Sequence, residues 1–319
     1  MNLQVTPSGK PCGATVTGID LSQPLDSHVI ASIRAAWLEH HVLAFPNQLL
    51  DDDDLERVAQ YFGHLGIDAY IAPIPRHKHI IAVERRPREK AALFADSWHT
   101  DWGFYAHPPW GTCLYSLVIP PVGGDTLFAN QHAALDAMPD PLRSRIEGRV
   151  AIHSGRIAFL PDGAYGSKDK KDRSMTMRPS SKAANTQRHP LIRKHAETQR
   201  EGLFGCLGYI VGIEGMDDAE AIPLLTELRE WQSRDEFIYR LRWQAEMFVI
   251  WDNRSLLHMA TGGYAGHHRL LHRISIAAAY DDAGQPLPPP VAEPDDAPSG
   301  DSSRRGLSRM LGSLFSHSR

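Results

Sequence analysis

The apolar residues of this chain come in short runs, and run length limits the folds open to it. Residues 41–45 are closed by Pro46, residues 111–119 by Pro120-Pro121, and residues 248–251 and 270–279 supply two more such runs. Segments this short, bounded by proline and glycine, read as strands. None reaches the roughly 18 apolar residues that a membrane-spanning helix needs. At 319 residues and 42% hydrophobic, the chain can bury a sizeable core as one large domain or two small ones. Helical spacing appears at 30–40, behind the alternating Val16-Thr17-Gly18-Ile19-Asp20-Leu21 and a Ser-Gln-Pro turn, and again at 219–231. A third helix is expected to open at Asp51, Asp52, Asp53 and Asp54, where the positive end of the helix dipole favours acids, and to run toward Phe62-Gly63. A calcium loop is the weaker reading of those acids, because the alternation and glycine of an EF-hand are missing.

Lysine and arginine number 34 against 38 acidic residues, a balance of −4 that argues against a nucleic-acid footprint and for small-molecule partners. Three cysteines, Cys12, Cys113 and Cys206, fit neither a disulfide framework nor a zinc ribbon. With no signal-peptide pattern at the start, a reducing, cytoplasmic location is expected. Residues 161–187 are polar, rich in lysine and glycine, and aperiodic, as a lid loop is. Lys168, Lys170, Lys171, Arg173 and Arg178 give that loop a basic set at the mouth of a site. Beyond Gly284 the composition changes: residues 285–300 carry six prolines with acids between them, which makes a linker. Leu307, Met310, Leu311, Leu314 and Phe315, beside Arg304, Arg305 and Arg309, then form a short basic amphipathic helix suited to weak contact with a membrane surface or a partner groove. The expected organisation is one domain over 1–284 and a tail over 285–319.

The 17 histidines exceed what a core or a neutral surface requires, so metal chemistry is worth seeking among them. In Ser97-Trp98-His99-Thr100-Asp101, an extended backbone would send His99 and Asp101 to the same side. Two ligands do not make a site; a facial triad of two histidines and a carboxylate, which holds Fe(II) and leaves positions open, needs a second imidazole. That partner is supplied by Trp251-Asp252-Asn253-Arg254-Ser255-Leu256-Leu257-His258, followed downstream by His272-Arg273. With Gly123-Gly124-Asp125-Thr126 between the two halves, the chain resembles the TauD/TfdA family of Fe(II)/2-oxoglutarate-dependent dioxygenases. Members carry W-H-x-D, G-G-D-T, W-D-N-R-x-x-x-H and an H-R pair in this order. The resemblance runs from about Val16 to Ala279 and includes His189-Pro190-Leu191-Ile192-Arg193-Lys194-His195.

The resemblance implies an α+β fold with a double-stranded β-helix (jelly-roll) core and flanking helices. It implies that His99, Asp101 and His258 are the catalytic iron ligands, brought together from distant strands. Arg273 would grip the distal carboxylate of 2-oxoglutarate, since a guanidinium fork matches a carboxylate, with help from the Thr126 hydroxyl. Arg269 would reach the co-substrate or the substrate. The implied enzyme uses Fe(II), 2-oxoglutarate and O2 to hydroxylate an aliphatic C–H of a small anionic or zwitterionic substrate, releases succinate and CO2, and forms a homo-oligomer. Where the family's taurine enzymes carry a histidine and a tyrosine after F-G and an asparagine before W-H-x-D, this chain has Asp68, Ile71 and Ala95, so taurine is not the expected substrate. Asp68 is expected to meet a cationic or donor group of the substrate, or a protein arginine. Tyr70, Phe104 and Phe159 are expected to line an apolar pocket, with Trp98 and Trp251 packing nearby and Asp252 and Asn253 in a turn. Rival readings are desaturation or another biosynthetic oxidation of an amino-acid-like substrate, and a non-catalytic jelly roll that binds 2-oxoglutarate or metal.

Overall fold

Four strands set the architecture: Val42–Phe45, Phe248–Asp252, Gly111–Val118 and Arg269–Ile276, which lie side by side and antiparallel. They are the centre of an eight-stranded sheet in the computed structural model, which describes residues 3–169, 171–281 and 284–290. Gln4–Pro7 and Ala14–Thr17 extend the sheet beyond Val42–Phe45, and His77–Arg85 and Pro73–Ile74 extend it beyond Arg269–Ile276. Lys170 and residues 291–319 lie outside the described residues, and with them the expected amphipathic tail helix. Among the described residues, no helix is long and apolar enough to cross a membrane.

Successive residues on a strand face opposite ways, and both faces of this sheet are buried. Leu43, Phe45, Cys113, Tyr115, Phe248, Ile250, Ile274 and Ile276 turn to one side, where they pack with Ile33, Trp37, Leu55 and Val58. Those last four belong to helices Ser27–His40 and Asp52–Gln60. Val42, Ala44, Leu114, Val249, Trp251 and Leu271 turn to the other side and meet Phe128 and Leu256 of a second layer. That layer is a three-stranded sheet in the order Ile238–Leu241, Thr126–Asn130, Leu256–Ala260. A further three-stranded sheet, Ile210–Ile213, Val150–Ser154, Thr186–Pro190, carries helix Asp218–Gln232 against a core of its own. The facing sheets make the double-stranded β-helix of an α+β fold, as expected. Burial on both faces is why the strands read as continuous apolar runs rather than as alternating ones.

The helix starts follow capping chemistry. Asp26 accepts from the Val29 amide and starts the first helix at Ser27, earlier than the apolar spacing suggests. Asp51 and Asp54 bond reciprocally to each other's backbone amides, a capping box, so the acid cluster is a helix start. The stretch over 161–187 is tied down toward its C-terminal end. The Arg178 amide donates to the Tyr70 carbonyl, the Ala72 amide donates to the Thr176 carbonyl, and the segment ends in a single 3₁₀ turn, Ser181–Ala184, before the strand at Thr186.

One buried ionic network holds the turn between Phe248–Asp252 and Leu256–Ala260. Asp252 accepts from Arg254 at 2.6 Å and pairs with His195 at 3.0 Å, and Arg254 reaches Glu197, which also binds Arg34. Burial alone would raise the Asp252 acid, but Arg254 and His195 outweigh it and hold the carboxyl well below its usual range. The Arg254 guanidinium lies 4.5 Å from the Trp110 ring centroid. Asp252→Ala would leave Arg254 buried without its main counter-charge, so we expect a loss of about 3–5 kcal/mol in denaturant unfolding. Because the folded pKa is depressed, this contribution is present above the unfolded value near ~3.9 and is lost as pH falls through the folded one.

Candidate active site

His99 and His258 are locked together by their backbones. Each amide donates to the other's carbonyl, at 3.0 and 2.7 Å, forming an isolated antiparallel bridge between the segment before Asp101 and strand Leu256–Ala260. Their rings lie 4.2 Å apart. Asp101, two residues past His99, returns its carboxylate to the same point, and Trp102 then takes a left-handed φ of 48° that ends the extended run. The nitrogen and oxygen atoms these three side chains offer lie within 4.8 Å of one another, and all three side chains are buried.

The donor set fits a metal ion. His99 Nδ1 donates to the Ser97 carbonyl at 2.8 Å, which fixes the tautomer and leaves Nε2 with a free lone pair. The Nε2 atoms of His99 and His258 face Asp101 Oδ1 at 3.8 and 3.7 Å, too far for a hydrogen bond. Ligand atoms each about 2.1 Å from a shared ion lie roughly 3.0–3.4 Å apart, so these three would draw together by about half an ångström around one. Burial, reinforced by His99, lowers His258 to about 3, and burial also lowers His99. Burial would raise Asp101, but Arg273, His258, His99 and a Thr112 hydrogen bond bring it to about 2. Two neutral imidazoles and an ionised carboxylate are the protonation states that coordination requires.

Asp101 is oriented from behind by three side chains. Thr112 Oγ1 donates to Asp101 Oδ2 at 2.6 Å, Asn253 Nδ2 donates to Thr112 Oγ1 at 3.0 Å, and Trp251 Nε1 donates to Asn253 Oδ1 at 2.9 Å. The Trp251 ring also packs 4.9 Å from the His258 ring. Asn253 is therefore more than a turn residue: it joins the strand that carries Trp251 to the carboxylate ligand. Thr112 has no motif of its own and escapes sequence reading, although Trp251 and Asn253 both stand in W-D-N-R.

Two cavities meet at the triad. One contains Thr126, Arg269, Tyr264, Leu114 and Ala260, and Arg85, Glu89 and Arg173 also line it. The other is walled by Phe94, Trp102, Phe159, Tyr165 and Tyr209, and Arg273 lines both. Arg269, Leu271 and Arg273 alternate along one strand, so both arginines enter the interior between the sheets. Arg273 reaches Asp68 Oδ2 at 3.2 Å and Asp101 Oδ1 at 3.4 Å. Arg269 pairs with no carboxylate among the described residues; its Nε is buried without a partner, and its guanidinium carbon lies 5.9 Å from the Tyr264 ring centroid. Gly123 and Gly124, both at positive φ, let the turn before Thr126 close against its neighbours: a Cβ on Gly123 would meet the Gly262 carbonyl at 2.5 Å, and one on Gly124 the Arg269 Nε at 3.2 Å.

Of the residues expected to contact substrate, Phe159 lines the aromatic cavity. Tyr70 and Phe104 lie behind it, with Tyr70 stacked on Phe159 at 4.8 Å. Asp68 meets the protein arginine Arg273. Burial, opposed by Arg273 and the backbone amides, pushes Asp68 up to about 6. Arg173 of the basic loop pairs with Asp169, while His268 and His272 pair with Glu84 and Asp52 as framework. Trp102, Tyr209, Phe94 and Tyr165 carry no motif; only the position of Trp102 directly after Asp101 could have pointed to it.

The chain behind Asp101 should matter to metal affinity. Thr112→Val removes the hydroxyl at nearly constant volume, and calorimetric titration with Co(II) is expected to show about tenfold weaker binding. Because burial lowers both imidazoles, His258 to about 3, Co(II) affinity of the unmodified chain is expected to fall less between about pH 8 and pH 6 than it would for two imidazoles titrating near ~6.5.

The family model described as "Taurine catabolism dioxygenase TauD, TfdA family" matches residues 4–275. An alkylsulfatase of Acinetobacter baylyi is 33% identical over 273 residues, covering 83% of this chain and 82% of its own length. The alpha-ketoglutarate-dependent sulfate ester dioxygenase of Pseudomonas putida is 30% identical, with 87% and 90% covered. The (S)-phenoxypropionate/alpha-ketoglutarate-dioxygenase of Delftia acidovorans is 32% identical, with 81% and 89% covered. Among solved structures, a taurine dioxygenase from Burkholderia xenovorans superposes with a TM-score of 0.71 at 28% identity, covering 90% of this chain and 95% of that one. The metal-ready triad and these matches together place the chain in the TauD/TfdA family, as an Fe(II)- and 2-oxoglutarate-dependent dioxygenase.

Proposed function

We propose that the chain hydroxylates an aliphatic C–H of a small anionic or zwitterionic molecule with an apolar body. The observation that carries this is the meeting of two cavities at His99 and Asp101, one that also holds His258 and an arginine with no carboxylate paired to it among the described residues, and one walled by aromatic rings. In this reading the three side chains hold Fe(II). Bound iron, with 2-oxoglutarate and O2, supplies the oxidising power that turns C–H into C–OH while 2-oxoglutarate leaves as succinate and CO2.

The distal carboxylate of 2-oxoglutarate goes to Arg269 rather than to Arg273. Arg273 already has two carboxylate neighbours, whereas Arg269 is a buried cation that lacks one. A buried charge calls for a partner, and a guanidinium fork matches a carboxylate. Thr126 Oγ1 accepts from Trp243 Nε1 at 3.0 Å, which leaves the hydroxyl proton to donate to the same carboxylate. Leu114, Ala260 and Tyr264 keep that pocket dry. The substrate then takes the aromatic cavity, against Phe159, Trp102 and Tyr209. The named activities of the relatives, on alkyl sulfates, sulfate esters and phenoxypropionate, agree with an apolar body beside an acidic group. Residues 1–284 form the catalytic unit of a cytoplasmic enzyme, a location that suits three buried free thiols, and the family resemblance supports a homo-oligomer.

Succinate formation should require both Fe(II) and 2-oxoglutarate and should rise with a matching member of a panel of alkyl sulfates, aryloxy acids and modified amino acids. Taurine, which lacks an apolar body, is expected to give no stimulation. No 2-oxoglutarate turnover with iron present, with or without substrate, would point to a binding protein instead. Arg269→Gln should raise the 2-oxoglutarate half-saturation concentration by about 30-fold or more, with Arg273→Gln far milder on that parameter; the reverse ranking would return the carboxylate to Arg273.

A further inference from the structure

The aromatic chamber offers one arginine to a substrate, Arg273, and the protein has already set a carboxylate against it. Asp68 is not free to swing aside. Its Oδ1 accepts from the Tyr70 and Ile71 amides at 2.9 and 2.8 Å, and its Oδ2 lies 3.2 Å from Arg273. On the other flank, Asp101 Oδ1 lies 3.4 Å from the same guanidinium, which is thus one positive charge between two negative ones. The neighbouring cavity adds no spare cation beyond the one assigned to 2-oxoglutarate, because Arg85 pairs with Glu89 and Arg173 with Asp169.

We propose that Asp68 sets the charge preference of this chamber: its fixed carboxylate cancels Arg273 toward a plain anion and favours a zwitterion, whose anion meets Arg273 while its ammonium is drawn to the side of the carboxylate behind it. The inference rests on the reading of this chamber as the substrate site. A lone carboxylate or sulfate brought to Arg273 arrives beside Asp68 with no net positive charge left to answer it, because a divalent ion and Arg269 together are balanced by Asp101 and the two carboxylates of 2-oxoglutarate, and like charges repel strongly where water is excluded. A zwitterion adds one charge of each sign and exchanges the internal pair for an alternating set of four. Arg273 lines the chamber, and Asp68 lies behind it at 3.2 Å, so the Asp68 charge acts on a chamber ligand across the guanidinium rather than by direct contact. The walls of Phe159, Trp102 and Tyr209 select an apolar body, so the class is an amino-acid-like zwitterion with an apolar side chain.

Two probes that share a body and differ in the ammonium group test this: L-phenylalanine and 3-phenylpropanoate. Each is titrated calorimetrically, without oxygen, into the full chain loaded with Mn(II) and 2-oxoglutarate. L-phenylalanine is expected to bind at least about tenfold tighter. Asp68→Asn keeps the Oδ1 acceptor for the Tyr70 and Ile71 amides but removes the charge, and it should reverse the order, with 3-phenylpropanoate gaining about tenfold. Asp68→Ser, which can also accept from those amides, should shift the order in the same direction, and it replaces the asparagine variant if that chain does not fold. Preference of the unmodified chain for 3-phenylpropanoate, an unchanged order in the variant, or binding of neither probe by either protein overturns the inference. Failure of the dioxygenase reading is seen separately, as loss of metal-dependent 2-oxoglutarate binding in the same calorimeter.

Discussion

A strand that turns two guanidinium groups into a protein interior must have something there to answer their charge. Alternation along Arg269–Ile276 sends Arg269, Leu271 and Arg273 the same way, into the space between the sheets. An unpaired buried charge costs far more than any side-chain packing can return, so the contents of that space follow from the two arginines. Arg273 is answered from within by Asp101 and Asp68. Arg269 is not, and the pocket around it is the natural place for an acid that arrives from outside. The charge of that interior is thus a consequence of strand parity: a one-residue register slip would send both cations to the opposite face, among Ile274 and Ile276.

The same interior governs the metal ligands. Asp101 has four tasks for two oxygens: it faces two imidazoles and Arg273 through Oδ1, and accepts from Thr112 through Oδ2. The division is set by the Trp251, Asn253 and Thr112 hydrogen bonds behind it, which reserve Oδ2 for the protein and leave Oδ1 aimed at the imidazoles. The backbone exchange between His99 and His258 fixes the other two ligands without help from side chains. Ligand placement therefore rests on main-chain pairing for the histidines and on a side-chain relay for the carboxylate. The relay is the part open to substitution.

What could be read from residues alone divides along this line. The strands, the capped helices and the clustering of His99, Asp101 and His258 were legible because each has a local signature: short apolar runs, aspartate before helical spacing, and H-x-D answered by a distant histidine. The relation of Arg269 to Arg273 was not. Both stand on the same strand face, and either can reach a carboxylate by the chemistry of its side chain. Only the surroundings separate them, namely Asp68, 205 residues away in sequence, and Asp101, 172 residues away. Thr112 was invisible for the same reason, since threonine on a buried strand is ordinary until its partner is known. Tyr70 and Phe104 show the converse, as aromatic residues near the ligands prove to be packing behind the wall rather than the wall itself.

Asp68 also ties the lid to the metal centre. Its Oδ1 shapes the turn at Tyr70 and Ile71, and that same turn bonds to the lid through the Tyr70 carbonyl and Arg178 amide, the Ala72 amide and Thr176 carbonyl, and a bridge between Ile71 and Met177. Its Oδ2 holds Arg273, which in turn touches Asp101. From the 161–187 stretch, Tyr165 and Met175 join the aromatic cluster around Phe159 and Trp102, and Tyr165 forms part of the chamber wall. Exclusion of water is what makes a single internal carboxylate decisive, because the charge that a screened surface would ignore is felt at nearly full strength in a dry cavity. The residue that balances Arg273 is therefore built into the turn that seats residues 176–178, so the pairing of Arg273 and the docking of that segment depend on one side chain.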